Sequence, residues 1–322
     1  MKRLIGEFEE QNYTQIIFPH KNTDWNEYLE EAEQTFINII NIIRTYQKCL
    51  VICYDIKAVK RHFDDKKNLI FIEYETDDTW ARDCSALSIK ENETIKHIDF
   101  TFNAWGNKFD SHKDNLMTKT VTPDALSCSF ILEGGAVESN GVGTILTTSS
   151  CMLNPNRNPN LSKKQINKIL HDNLGAKEIL YLNHGYLVGD DTDSHIDTLA
   201  RFIDKDTIMY VKCNDKNDEH YQELFLMEQE LQEFAKQKSY TLIALPMSDA
   251  LYFEGERLPA TYANFLFING AVILPIYGVK SDILAIKIFE ETFRNRDIIA
   301  TDCSILVRQH GSLHCITMNF NI

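Results

Sequence analysis

Four short stretches gather the residues that can attack carbon, move protons or hold charge. They read TDDTWARDC at 76–84, LEGG at 132–135, GDDTDSHID at 189–197 and GSLHC at 311–315. Cys315 beside His314 has an ordinary explanation, since cysteine often serves as a small buried hydrophobe. It becomes a nucleophile only if a base and charged partners come to it from elsewhere. HID at 195–197 is either the start of a surface strand or half of a metal site, because histidine and carboxylate suit many metals. No second histidine pair follows, so a zinc site would be short of ligands. LEGG can be turn chemistry for its glycines, with less reason for Glu133 to be there. TDDTWARD can be a solvated acidic turn, but Trp80 among carboxylates also suits a bound cation. Together these stretches hold cysteine, histidine and several carboxylates. A hydrolytic triad needs one acid to orient its histidine. Extra carboxylates around a thiol suit a planar guanidinium, which they pair with in bidentate fashion.

The elements that must carry these residues recur along the chain. AVESNGVGTILTTSS, TLARFIDKDTIMYVKC and YANFLFINGAVILPIY each read as a hairpin, turning at Asn140-Gly141, Asp204-Lys205-Asp206 and Asn269-Gly270. The turns lie 65 and 64 residues apart, which marks an internal repeat. A helical stretch follows each hairpin: LSKKQINKILHDNLG, entered at Ser162 and closed near Gly175, then YQELFLMEQELQEFAKQ, then SDILAIKIFEETFRN. Each helix leads to a short apolar run: EILYL, YTLIALP and DIIATDC. An earlier hairpin turns at Glu91-Asn92-Glu93, and the N-terminal part adds a helix over EEAEQTFINIINIIRTY with strands CLVICY and LIFIEY. The fold class is therefore α+β, in ββαβ modules. Four or five fit the length, and closed into a ring they would make one α/β propeller domain over residues 1–322. A plain α+β sandwich remains open on periodicity alone.

The polar clusters stand just before the hairpins, EGERLPATYAN at 254–264 among them. If rotation relates the modules, these loops meet at one end of the ring, and the chain end holding Cys315 completes the last module there.

Composition narrows the function. The chain has 322 residues, 43% hydrophobic and 25% charged, which is ordinary for a globular protein. No apolar run is long enough to cross a bilayer, and the first residues show no apolar leader, so the expected location is the cytoplasm, with no membrane partner. None of the eight cysteines forms a C-x-x-C pair, so most are expected to be structural thiols. The net charge of −14 argues against a nucleic-acid partner and suits a small cationic one.

Several long motifs, in order, resemble the agmatine deiminase and bacterial-type peptidylarginine deiminase family of guanidino-group-modifying enzymes. They are FPHKNTDW, DDTWARD, NAWG at 103–106, LEGGAVESNGVGTILTTSSCMLNPNRNP, GDDTDSHIDTLARF, RLPATYANFLFINGAVILP and GSLHCIT, running nearly end to end. The chain departs from the family at RDCSALS, where Gly-Pro is usual, at Ser194, where glycine is usual before the histidine, and at GSLHC, where the tail usually has two glycines.

The resemblance implies a five-fold propeller and a hydrolase that uses no metal or organic cofactor. It implies that Asp83 and Asp197 grip a guanidinium, that Trp80 walls the pocket, that Cys315 attacks the guanidinium carbon and that His195 shuttles the proton. The product would be a ureido compound and ammonia, released through a covalent thiouronium intermediate. Agmatine fits better than free or peptidyl C-terminal arginine, whose carboxylate would call for a facing cation. It would yield N-carbamoylputrescine, a step in putrescine and polyamine biosynthesis. Glu133, Asp190 and Asp191 are the candidates to bind the distal amine. The competing readings are a cysteine amidase for neutral amides and a non-catalytic propeller that binds cations. A homodimer is the expected assembly.

Overall fold

The computed structural model describes residues 2–322, a mixed α/β fold. Among the described residues, five sheets of three or four strands share one plan, and a two-stranded ribbon, Tyr252–Phe253 with Glu256–Arg257, stands apart from them. The plan is an antiparallel pair, a crossover helix, and a third strand parallel to the second. Leu87–Glu91 and Thr94–Thr101 pair this way, cross through the helix His112–Val121 and end in Leu126–Ile131, with Lys2–Leu4 added on the outer edge. The next unit runs Glu138–Ser139, Thr144–Thr148, helix Lys163–Leu174 and Glu178–Leu182. Then come Ala200–Phe202, Thr207–Lys212, helix Tyr221–Lys238 and Thr241–Pro246. The fourth is Leu266–Ile268, Ala271–Ile276, helix Ser281–Thr292 and Asp297–Asp302.

The expected ββαβ modules are thus present, with their helices where the periodicity put them. Ser162 and Gln165 form a reciprocal capping box on the second crossover helix, and Gly175 ends it in the left-handed conformation. The first strand of that unit is only two residues long, because Asn140 ends it: its side chain accepts from the backbone of Val142 and Thr144. The fifth sheet is built from both ends of the chain. Thr317–Phe320 pairs antiparallel with Tyr13–Ile17, which crosses through the helix Leu29–Tyr46 to Lys48–Cys53 and then pairs on to Leu69–Glu73.

A buried ionic knot ties the units together. Arg201 is fully buried; it donates to Glu138, to Glu7 at 2.6 Å and to the carbonyls of Ala263 and Phe265 at 3.2 and 2.9 Å. Arg82 also donates to Glu7. Four units and the N-terminal segment therefore meet on these two guanidiniums. Removing one partner would leave a buried charge uncompensated, at a cost of about 3–5 kcal/mol. The loops that enter the units are held in register beside this knot, and they carry the polar clusters. No helix among the described residues is long and apolar enough to cross a membrane.

Candidate active site

A cavity of about 340 Å³ opens beside Cys315. Asp83, Trp80, Trp105, Phe109, Thr192 and Gly311 line it with the thiol, and Asp24, Asp78, Asp191, Gln309 and His310 complete the wall. Cys315 is 6% exposed. Asn264, the last residue of EGERLPATYAN, fixes it: the Asn264 Oδ1 accepts from the backbone N–H of His314 at 2.8 Å and of Cys315 at 3.3 Å, and lies 3.4 Å from Sγ. Its amide also donates to the Asp197 carbonyl at 3.4 Å, so the cysteine and histidine loops share one tether. The Cys315 carbonyl accepts from the N–H of Arg82 at 3.1 Å, which joins the TDDTWARD segment to both.

The short helix Ala81–Cys84 presents Asp83 inward. One oxygen accepts from the Gly135 N–H and the other from the Trp105 indole, each at 2.9 Å. Asp197 sits in the tight turn Ile196–Thr198; its Oδ2 lies 2.7 Å from His314 Nδ1, and its Oδ1 is buried without a partner. The His195 ring stands between carboxylates, Nδ1 3.7 Å from Asp83 and Nε2 3.9 Å from Glu133. That Nε2 is buried and has no hydrogen-bond partner. Gly135 makes this packing possible: a Cβ there would lie 2.6 Å from His195 Nδ1 and 3.0 Å from both Asp197 and Asp83. Gly311 does the same for Trp80, whose ring would meet a Cβ at 2.1 Å. The Trp80 and Trp25 indoles both donate to Asp78, at 2.9 and 3.1 Å.

Cys315, Asp83, Trp80 and Asp191 therefore share one cavity, and His195 and Asp197 adjoin Asp83 around Gly135. Glu133 and Asp190 stand elsewhere. Both oxygens of Glu133 accept from Arg157 Nε, at 2.8 and 2.9 Å, so it backs the His195 ring and does not face the cavity. Asp190 caps its own loop, accepting from Thr192 and from the N–H of Ser194. Asp193 and Ser194 both have positive φ, at 66° and 65°, so the position before His195 has the backbone shape that favours glycine. Asn264, Trp105, Asp24 and Asp78 are additions to the expected set; all four lie inside stretches that stood out in the sequence.

Burial pushes the Cys315 thiol well above its ordinary range, and the Asp197 and Asp83 charges push it further. Burial, then Asp197, raises Asp83 as well. Burial would raise Asp197 too, but His314, with His195 and Arg201, outweighs it and the carboxyl is held low. Burial brings His195 down to about 3, so the ring is neutral. Burial and Asp24 lift Asp78 to about 7, and burial and Asp190 lift Asp191 to about 6. The site thus combines a thiol, a neutral imidazole and several carboxyls raised by burial. A cation placed among them would favour the charged forms of the thiol and of the raised carboxyls. Donor atoms of Glu133, Cys151 and His195 lie within 4.8 Å of one another. Arg157 already supplies the positive charge there, which works against a metal cation at that spot.

The model of the family described as Porphyromonas-type peptidyl-arginine deiminase matches residues 3–320. The fold is similar to a C. jejuni agmatine deiminase carrying a cysteine-to-serine substitution with substrate bound: TM-score 0.96 and 43% identity, over 100% of this chain and 97% of that one. It is also similar to the agmatine deiminase of Enterococcus faecalis, with TM-score 0.91 and 27% identity over 99% and 95%. By sequence it is 29% identical to the agmatine deiminase of Stutzerimonas stutzeri over 348 aligned positions, covering 98% of this chain and 94% of that one.

Proposed function

From the premise that the chain belongs to the Porphyromonas-type peptidyl-arginine deiminase family, we propose that it hydrolyses agmatine to N-carbamoylputrescine and ammonia. The observation that carries the choice of substrate is the cavity wall. Asp24, Asp78 and Asp191 line it, and among the described residues no lysine or arginine does. An ammonium at the far end of the substrate is welcome there, while the carboxylate of arginine would meet like charge. Asp191, with Asp78 and Asp24, is the better-placed amine ligand than Glu133 or Asp190. Ammonia release from agmatine, arginine and a C-terminal-arginine peptide tests this: agmatine is expected to turn over far faster than the other two. Preference for either of the others would move the substrate, and silence on all three would remove the reaction.

In the mechanism, Asp83 and Asp197 take the guanidinium and Trp80 walls it. The cation stabilises the Cys315 thiolate, whose proton passes to His195. The thiolate attacks the guanidinium carbon to give a tetrahedral adduct. His195 returns the proton to the departing nitrogen, the C–N bond breaks, and ammonia leaves a thiouronium on sulfur. His195 then takes a proton from water and the hydroxide adds to the same carbon; the C–S bond breaks as the new hydroxyl gives up its proton to the sulfur, the ureido product leaves, and the proton held on His195 is lost to solvent or to the ammonia. Glu133, fixed by Arg157, steadies the ring in both directions. The five sheets read as blades of one five-fold propeller domain over residues 1–322; the support is their shared plan and the fifth blade's use of both chain ends.

Two results follow directly. Gly135→Ala drives a methyl group into His195, so kcat/KM should fall about a hundredfold, as misplacement of that size does. Unfolding in denaturant should show only about 1–3 kcal/mol of lost stability. Wild-type rates would mean the three side chains are not the working set. For the free enzyme, the raised thiol predicts slow alkylation by iodoacetamide near neutrality, climbing about tenfold per pH unit as thiolate forms. A plateau already reached at neutral pH would mean a thiolate stabilised without substrate.

A further inference from the structure

His314 adjoins the nucleophile in sequence and has no step in the mechanism above, yet it is clamped between two carboxylates. Its Nδ1 lies 2.7 Å from Asp197 Oδ2, and its Nε2 lies 2.9 and 2.8 Å from the two oxygens of Glu7. A neutral imidazole has one N–H and could satisfy one side only; both bonds form when both nitrogens carry hydrogen. Burial, then Arg201 and Arg82, draw His314 below its ordinary range against the pull of Glu7 and Asp197; a carboxylate at hydrogen-bond distance from each nitrogen is nonetheless the geometry of an imidazolium. Glu7 cannot follow the ring if it moves, because Arg82 and Arg201 hold it from the other side. Asp197 is therefore occupied at Oδ2 and bare at Oδ1.

We propose that His314 is a positioning residue: anchored on Glu7, it holds the Asp197 carboxylate so that Oδ1 is the oxygen presented to the substrate guanidinium. This rests on the deiminase reading. The side chain acts through Asp197 and touches no reacting atom. The N-terminal segment, through Glu7, becomes part of how a loop some way along the chain recognises a cation.

Two isosteric substitutions separate this role from plain packing. The amide nitrogen of His314→Asn falls where Nδ1 stood and can reach Asp197 only. That of His314→Gln falls where Nε2 stood and can reach Glu7 only. His314→Asn should keep KM for agmatine within about tenfold of wild type, while His314→Gln should raise it about 10- to 100-fold, the worth of a lost charge-assisted hydrogen bond. Iodoacetamide should alkylate Cys315 at similar rates in both. Calorimetric affinity for agmatine, measured with each change on a Cys315→Ala background, should rank the variants the same way without turnover. Equal losses in the two variants, whether or not their thermal midpoints fall, would leave His314 an architectural residue and overturn the proposal; so would Gln outperforming Asn, or no loss in either. Failure of the parent protein to release ammonia from agmatine would instead strike the deiminase reading, which the binding ranking can be read without.

Discussion

Cys315→Ser binds agmatine and releases ammonia at least about ten-thousand-fold more slowly than the parent protein, the scale on which a covalent nucleophile is lost. The serine hydroxyl occupies the same place on the Asn264 tether, so the cavity is preserved. What goes is a group that can shed its proton to His195 when a cation arrives. A relative has been captured with substrate bound and serine in place of a cysteine, in keeping with binding that outlives chemistry. The measurement is single-turnover ammonia release beside calorimetric binding. Residual turnover within about a hundredfold of wild type would exceed what binding and orientation alone leave behind when a nucleophile is removed, and would sink the covalent route.

Asp83→Asn has the next largest effect. The two oxygens of Asp83 each accept a hydrogen bond, from Gly135 N–H and from the Trp105 indole. An asparagine must turn its NH₂ toward one of these donors, leaving a buried N–H unmatched at about 1–3 kcal/mol. It also removes a negative charge from the guanidinium grip. We expect kcat/KM for agmatine to drop about a thousandfold, with a raised KM carrying much of it, since charged hydrogen bonds are among the strong ones. A cysteine hydrolase for neutral amides has no use for that charge. Near-normal turnover by a stably folded Asp83→Asn protein would therefore favour such an enzyme over a deiminase.

Much of the architecture was legible because the elements are local. Asn140-Gly141 and Asn269-Gly270 turn between apolar runs, and Ser162 with Gln165 writes its own helix start. The clusters before the hairpins could be suspected of meeting because the spacing repeats. What the sequence could not tell is which acid faces the cavity. Glu133, Asp190 and Asp191 look alike on paper, and only packing shows that Arg157 claims the first, the Thr192–Ser194 backbone claims the second, and the third lines the wall. Asn264 lay inside a stretch that stood out, EGERLPATYAN, but its role as a tether did not, because a link between two distant loops leaves no periodic trace. Ser194 was legible as a departure from the family; its φ of 65° gives the glycine usual there a backbone reason.

The sheet shared by both chain ends has a consequence for how the protein comes to exist. Thr317–Phe320 pairs with Tyr13–Ile17, so residues 18–316 lie between the partners. Pairing of such high sequence separation pays its loop-closure entropy before any contact rewards it, and tends to be slow. Until Thr317–Phe320 docks, Tyr13–Ile17 is paired on one edge only, with Lys48–Cys53. Cys315 stands immediately before that last strand, so its tether, its cavity and its sheet fall into place together. The surroundings of the proposed nucleophile are thus complete only once this long-range pairing has formed.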